Sequence, residues 1–546
     1  MGGEYMDYHY SVYEPGVLSG NYTFTGAFTS LTGQAVTGLP DMELGLPYTT
    51  TINTSNNWFR ETSKYASLYA QDDYRIARNL TLNFGLRWEF DGPFAEVNDQ
   101  MYSFNPNLVD AATGKQGAIE FAGYNGAPHT LIGRQYLGFL PRIGFSYHPL
   151  KNTVVRGGYG IYELPGIGFA ATALTSKSTV ATTFQSSNGV TPVYQLQNGV
   201  PPYSPQVGPD GEPLIPTSLT NPTSSVSQLQ RSSILAYTQQ WQLGIQQDLG
   251  HGWIAEVDYQ GNHGVHLPIT LPQNQIVPTA NCCYGLKTAQ SLRPYPQFLN
   301  VSYYVNGGAA NYNALLAQLS HQWKNGISLI AAYTYAKQMD DVDPAARGDA
   351  VGIQNAYNLH AQWGTAMTDI PQRLSITGVY AIPVGSGGKL LAATPVVSQI
   401  LGHWRVSTVA SFQVGYPYNV NQANTTGLFS SAQYVTKVGD PQISRSSRTL
   451  DKWFNTGAFQ ITPQDTLGNA PRASLFGPGQ NVWNLALMRD VPVNERLTFT
   501  FRADAYNAFN HPQFDGLGTS ITSGTYGHLT SAEDARVLLV SGRIRF

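Results

Sequence analysis

In the stretch NLTLNFGLRWEFDG, Leu80, Leu82, Phe84, Leu86, Trp88 and Phe90 fall on one parity. Thr81, Asn83, Gly85, Arg87 and Glu89 fall on the other. A period of two with one oily and one polar face predicts a half-buried β-strand. The run matches a strand that crosses a bilayer, about 9–11 residues, and projects beyond it. Just before it lies KYASLYAQDDYRIA, with Ala77-Arg78-Asn79 as the turn between them. The same plan recurs. PRIGFSYHPL turns at Lys151-Asn152 into TVVRGGYGIYEL, and YTQQWQLGIQQDLG turns at His251-Gly252 into WIAEVDYQGNHG. NYNALLAQLSHQW turns at Lys324-Asn325-Gly326 into ISLIAAYTYAKQMDD, and NVWNLALMRDVPV turns at Asn494-Glu495 into RLTFTFRADAYNAFN. Such short polar turns between alternating runs are hairpin signals. Single strands are predicted at RLSITGVYAIPVG, WRVSTVASFQVGYPYNV and the terminal ARVLLVSGRIRF.

Between the pairs lie long polar stretches rich in Gly, Pro, Ser and Asn: residues 165–233, 268–310, 341–370 and 421–480. Connections of this length are uncommon in compact domains. Short turns alternating with long loops are the outer-membrane pattern, with short periplasmic turns and long extracellular loops. In hydrocarbon every backbone polar group needs an internal partner, so strands cross only as a closed barrel. One strand face then meets lipid and the other a polar interior. Glu256, Asp258 and Gln260 alternate with Ala255, Val257 and Tyr259 in this way, as Arg502 and Asp504 do with Phe501 and Ala503. A β-sandwich or a propeller also alternates, but strand length and loop asymmetry favour the membrane. The expectation is an all-β, antiparallel transmembrane barrel wall. Leu80, Leu82, Phe84, Leu86 and Trp88 are expected to face lipid.

The last residues carry the same signal. Phe546, Ile544, Gly542, Val540 and Leu538 share one face of the terminal run. This strand is expected to close the barrel. Phe546, Ile544, Val540 and Leu538 resemble the C-terminal pattern read by the outer-membrane barrel assembly machinery, apart from the small Gly542.

Composition supports the wall. Charged residues are only 12% of 546, aromatics are 12% with 33 tyrosines, and there are 55 glycines. A disordered chain would be charged and poor in aromatics. No apolar run approaches the 18 or so residues of a membrane helix. A net charge of -3 argues against a nucleic-acid partner. Trp88, Phe90, Tyr147, Tyr162, Tyr259, Tyr333, Tyr335 and Tyr380 fall on strands, several near their ends, as interfacial girdles do.

Candidate chemistry is sparse. RGGYGIY, Arg156 to Tyr162, has the clustered glycines of a nucleotide loop but no following helix; it reads as a place where side chains must be absent from a curved strand. His263 and His266 in HGVH are read in a Gly-rich loop after a strand, where a metal is not expected. Asp340, Asp341 and Asp343 read as a solvated loop tip without EF-hand spacing. The adjacent Cys282 and Cys283 form no disulfide framework and read as a loop pair. No catalytic motif, cofactor site or metal site is expected, and an enzyme is not.

Several stretches taken in order resemble the barrel of TonB-dependent receptors, specifically the Oar-like branch abundant in acidobacteria. They are SLYAQDDYRIARNLTLNFGLRWEF, PRIGFSYHP, TVVRGGYGIYE, LRPYPQF, AAYTYAKQMDD, DIPQRLSITGVYAIPVG and NLALMRDVPVNERLTFTFRADAYNAFNHPQF. The resemblance implies a Gram-negative outer-membrane receptor that moves a large substrate (carbohydrate, peptide or chelate) and is energised through TonB. A structural or adhesive surface barrel is the alternative. A full relative would carry a signal peptide, usually a carboxypeptidase-regulatory-like domain, a plug with its TonB box, and a 22-stranded barrel. Met1 to Gly16 has neither the basic nor the apolar region of a signal peptide. Roughly 14–15 strand candidates are present. Residues 1–546 are therefore expected to be one domain, the C-terminal part of such a barrel, with TonB reached only through a plug outside it.

Overall fold

The computed structural model describes all residues except 13–18, 31–36, 54–58, 134–137, 165–174, 177–180, 187–189, 203–214, 216, 221, 223, 233, 279–289, 325, 342–351, 385–401, 493 and 495. Cys282, Cys283 and Asp343 lie outside the described residues. The chain is all-β apart from short helical turns, and its main sheet has 17 strands. Fourteen of them form one antiparallel meander. In chain order these are β1 (Gly2–Val12), β2 (Phe59–Ala77), β3 (Leu80–Asp91), β4 (Gly138–Leu150) and β5 (Thr153–Glu163). Then come β6 (Tyr237–Gly250), β7 (Trp253–Pro272), β8 (Val301–Lys324), β9 (Ile327–Asp340) and β10 (Gln372–Ala381). The last are β11 (Trp404–Gln413), β12 (Gln480–Pro492), β13 (Thr498–Tyr506) and β14 (Val537–Arg545). Each pairs with the next. Three short strands, Ala95–Glu96, Val226–Leu229 and Gly364–Thr365, extend the sheet at its loop end.

The five predicted hairpins are β2/β3, β4/β5, β6/β7, β8/β9 and β12/β13, each turning where the polar turn residues stand. No helix among the described residues is long and apolar enough to cross a membrane; the crossing elements here are strands. Four expectations change. First, β14 pairs with β13, and among the described residues no pairing joins it to β1, so the closure expected of the terminal strand is not seen within these residues. Second, β7 and β8 are 20 and 24 residues long and pair out to Pro272 and Ser302, so the connection there is 273–300 rather than 268–310. Third, β10 and β11 are joined at the short-turn end by residues 382–403, which breaks the rule of short turns. Fourth, β1 escapes the alternation reading: GGEYMDYHYSV carries Tyr and acids on both parities, and its strand state comes from full pairing with β2.

The buried hydrophobic clusters lie mostly in the long connections and at the loop ends of the strands, and a few wall residues, such as Leu140 and Ala314, are buried as well. Tyr418, Val420, Val435, Phe454, Phe459 and Leu475 form one with Leu517. Phe59, Met101, Leu131 and Leu229 form a second, and Phe104, Val226, Phe298 and Val301 a third. The loops therefore fold on one another as a platform over one end of the sheet.

Candidate functional site: the concave polar face of the wall

Register decides which residues share a face. Opposite partners in an antiparallel ladder project to the same side. One row runs Gln71 (β2), Gly85 (β3), Arg142 (β4), Gly160 (β5), Gln240 (β6), Asn262 (β7) and Tyr312 (β8). The next row toward the turns runs Asp73, Asn83, Gly144, Gly158, Gln242 and Gln260. These rows line a concavity of about 950 Å³. Its lining combines amide side chains and bare glycine backbone with Arg142, Arg156, Asp73, Tyr162 and Tyr312. Gly144 and Gly158 stand directly opposite, and a Cβ at Gly144 would meet the Gly157 carbonyl at 3.3 Å. Within RGGYGIY, a Cβ at Gly157 would meet the Phe145 ring at 2.5 Å and one at Gly160 the Tyr162 ring at 3.0 Å, so side chains are absent there for spacing.

Charge on this face is mostly neutralised locally. Arg87 is held by Glu89, by Glu4 at 3.2 Å, and by the Tyr65 and Ser67 hydroxyls, each at 2.9 Å. Arg156 pairs with Glu256 and lies 3.9 Å from Asp258. Arg405 pairs with Asp490, and Arg502 with Asp504 at 2.7 Å.

The opposite parity carries the apolar side chains. Leu82 shares its face with Tyr74 and Phe145, Phe84 with Ile143, and Trp88 with Leu68 and Phe139. Phe84 is 47% exposed and Leu86 49%, while Leu80, Leu82 and Trp88 are half-buried. An acid also stands on this face: Asp72 lies directly opposite Phe84. Leu538, Val540 and Ile544 lie opposite Ala505, Ala503 and Phe499, on the same apolar face, and Phe546 is 96% exposed.

The platform is tied together by buried polar side chains. Gln297 donates to the carbonyls of Gln116 and Gly117 at 2.9 and 2.7 Å. Arg293 donates to the Asn274 carbonyl at 3.0 Å and to Asn300 at 2.9 Å, and stacks 4.1 Å from the Phe429 ring centre. Burial lowers the Arg293 pKa to about 10. Gln275 donates to the Gln354 carbonyl at 3.1 Å and accepts from the Ala356 amide at 2.9 Å. Both Arg293 and Gln297 belong to the LRPYPQF stretch, so that stretch is a clasp between loops.

Two expectations about loop chemistry are corrected here. Asp340 is no solvated tip: it is buried and pairs with Arg472 at 2.8 Å. Asp341 accepts from the Ala309 amide at 2.6 Å, and burial raises its pKa. His263 and His266 lie inside β7, not in a loop; His263 bonds Asn311, and His266 bonds the Leu235 carbonyl at 3.2 Å. No group of three metal-ligating side chains is found among the described residues.

The sequence model of a family described as outer membrane beta barrel domain matches residues 1–538. The chain belongs to that family. As an outer-membrane β-barrel domain, it resides in the outer membrane. No curated protein sequence matches it. Solved structures to which the chain is similar include the outer membrane transporter YddB from Escherichia coli, at 10% identity and TM-score 0.46 over 98% of this chain and 59% of that one. The ferripyoverdine receptor of Pseudomonas aeruginosa aligns at 12% identity and TM-score 0.39 over 90% and 40%. The FrpB iron transporter from Neisseria meningitidis aligns at 8% and 0.39 over 89% and 46%. The chain thus spans 40–59% of the length of these three structures.

Proposed function

We propose that this outer-membrane barrel domain is the wall of a receptor that passes a large polar solute, with recognition shared between the concave face and the loop platform. The observation that carries the reading is the sidedness of the wall. Leu82, Phe84 and Leu86 stand on one face; Asn83, Gly85 and Arg87 stand on the face with the 950 Å³ concavity. A polar, hydrated lumen costs nothing in desolvation, whereas the same residues against lipid would cost ~2–4 kcal/mol for each cation near the midplane. In the Oar-like reading, coupling to TonB runs through a plug and is assigned to none of these wall residues. The substrate class left open by that reading is carbohydrate, peptide or chelate.

Cysteine substitution tests the sidedness. In outer membranes, Asn83→Cys and Gln242→Cys should react with a membrane-impermeant maleimide, while Leu82→Cys and Leu86→Cys should not. Equal labelling on both parities would overturn the reading. Uptake that persists without TonB would leave the barrel and remove the energised transporter. An adhesive surface barrel is the second reading. It is favoured by the order of the platform, whose loops are clasped to one another by Arg293, Gln297 and Gln275. It predicts surface binding that is indifferent to TonB.

A further inference from the structure

Two arginines line the concavity, and they differ. Arg156 is neutralised by Glu256 and Asp258. Arg142 is solvent-exposed, and among the described residues it meets no carboxylate. Its guanidinium lies 4.6 Å from the centre of the Tyr162 ring. The seat is built by glycines. Gly85 and Gly160 are its direct neighbours on the two adjoining strands, and Gly144 and Gly158 follow in the next row. A Cβ at Gly160 would come within 3.0 Å of the Tyr162 ring, so glycine there lets the ring lie along the strand beneath the arginine. An aromatic support pre-organises the guanidinium and leaves its planar fork of donors free.

The surroundings leave the positive charge uncompensated. One row above, Arg87 is matched by Glu4 and Glu89. One row below, Asp73 is engaged by the Asn83 amide at 2.7 Å. Gln71, Gln240 and Gln242 face the same space with no side-chain hydrogen bond among the described residues, so their donors and acceptors are available.

We infer that Arg142, seated on Tyr162 above the glycine floor, binds a carboxylate carried by the solute, with the neighbouring glutamines taking its hydroxyl or amide groups. This deepens the proposed function and rests on the concave face being the lumen. It narrows the substrate class to acidic, hydrogen-bonding solutes, because a fork–fork arginine–carboxylate pair has no counterpart in a neutral one.

The test uses the full chain in detergent micelles, titrated with trigalacturonic acid and with its methyl ester, which keeps the hydroxyls and lacks the charge. The acid should bind roughly 10- to 100-fold tighter. Arg142→Gln should remove that preference. Arg142→Lys, which keeps the charge without the fork, should fall between, and Gly160→Ala should weaken the preference by displacing the ring. A measurement on the unaltered chain guards against a variant that fails to fold: phenylglyoxal should modify Arg142, and the acid, not the ester, should protect it. Equal affinity for acid and ester, retention of the preference in Arg142→Gln, or no protection would each overturn the site. Because binding in micelles does not depend on lumen access, acid selectivity together with equal maleimide labelling of both faces would refute the receptor wall and leave the site standing.

Discussion

Phe84 and Phe298 are the same residue in opposite settings. Phe84 stands on the apolar face of β3 at 47% exposure; Phe298 sits in the 273–300 connection at 0%, packed edge-on to Phe104 at 5.5 Å. The wall leaves its large apolar side chains outside, and the platform buries its own. In water the platform's arrangement is the stable one, since burying a Phe or Leu side chain is worth roughly 1.5–3 kcal/mol. The wall's arrangement is stable only where hydrocarbon takes the place of a protein core. The polar side chains show the same inversion. Arg293 and Gln297 are buried and bonded to backbone, whereas Gln240 and Gln242 face open space. One chain therefore contains a membrane element held by backbone ladders and a soluble-like element held by packing.

The strongest way to test this division is to cut into the platform. Phe298→Ala should destabilise the loops by ~3–5 kcal/mol, read as protease sensitivity in the 92–137 and 273–300 connections. Heat-modifiable migration of the wall should persist; joint loss of both would show that the two regions fold as one unit. Next comes the wall. Leu86→Arg, opposite Ala70 and Pro141, should cost ~2–4 kcal/mol of membrane assembly. Phe84→Lys should cost less, because Asp72 stands directly across from it. If both substitutions assemble as well as the unaltered chain, the apolar face does not meet lipid.

A pH titration addresses the seam between the regions. Glu61 lies near the loop end of β2, is 1% exposed, and pairs in register with Glu96. Glu96 accepts backbone amides from Arg60, Asn98 and Gln100. Burial first, and the Glu96 charge second, raise the Glu61 pKa from 4.5 to about 7. The folded state therefore holds this proton more tightly than the unfolded chain. Stability is full below pH 4.5 and declines as the pH rises to about 7. The decline is at most on the order of 3 kcal/mol. Hydrogen exchange at the Ala95–Glu96 ribbon should speed up across that window, and Glu61→Gln should flatten the profile. The smallest equilibrium effect is expected at the terminal residue. Deleting Phe546, which is 96% exposed, should change stability by less than about 0.5 kcal/mol. If the terminal strand is the element that the assembly machinery reads, the same deletion should slow insertion in cells, and an unchanged insertion rate would remove that role.

Much of the wall was legible because strand periodicity is local. Leu82, Asn83, Phe84 and Gly85 announce two faces without reference to any partner, and Lys151-Asn152 or His251-Gly252 announce a turn. The platform was not legible. Its contacts join residues far apart, as Gln297 to Gly117 and Asp340 to Arg472, and a buried acid reads like a solvated one until its partner arrives. The Arg142 seat lay between these cases. PRIGFSYHP and RGGYGIY were both visible as strands, but only the register sets Gly160 opposite Arg142 and brings Tyr162 beneath it. The sequence by itself determined the class: alternation, low charge and long polar connections allow a membrane wall of strands and little else. Tertiary structure decided the register between the strands, the folding of the loops into a core, and the pairing of each charge. Those outcomes depend on which strands pair and at what register, information that a period of two does not contain.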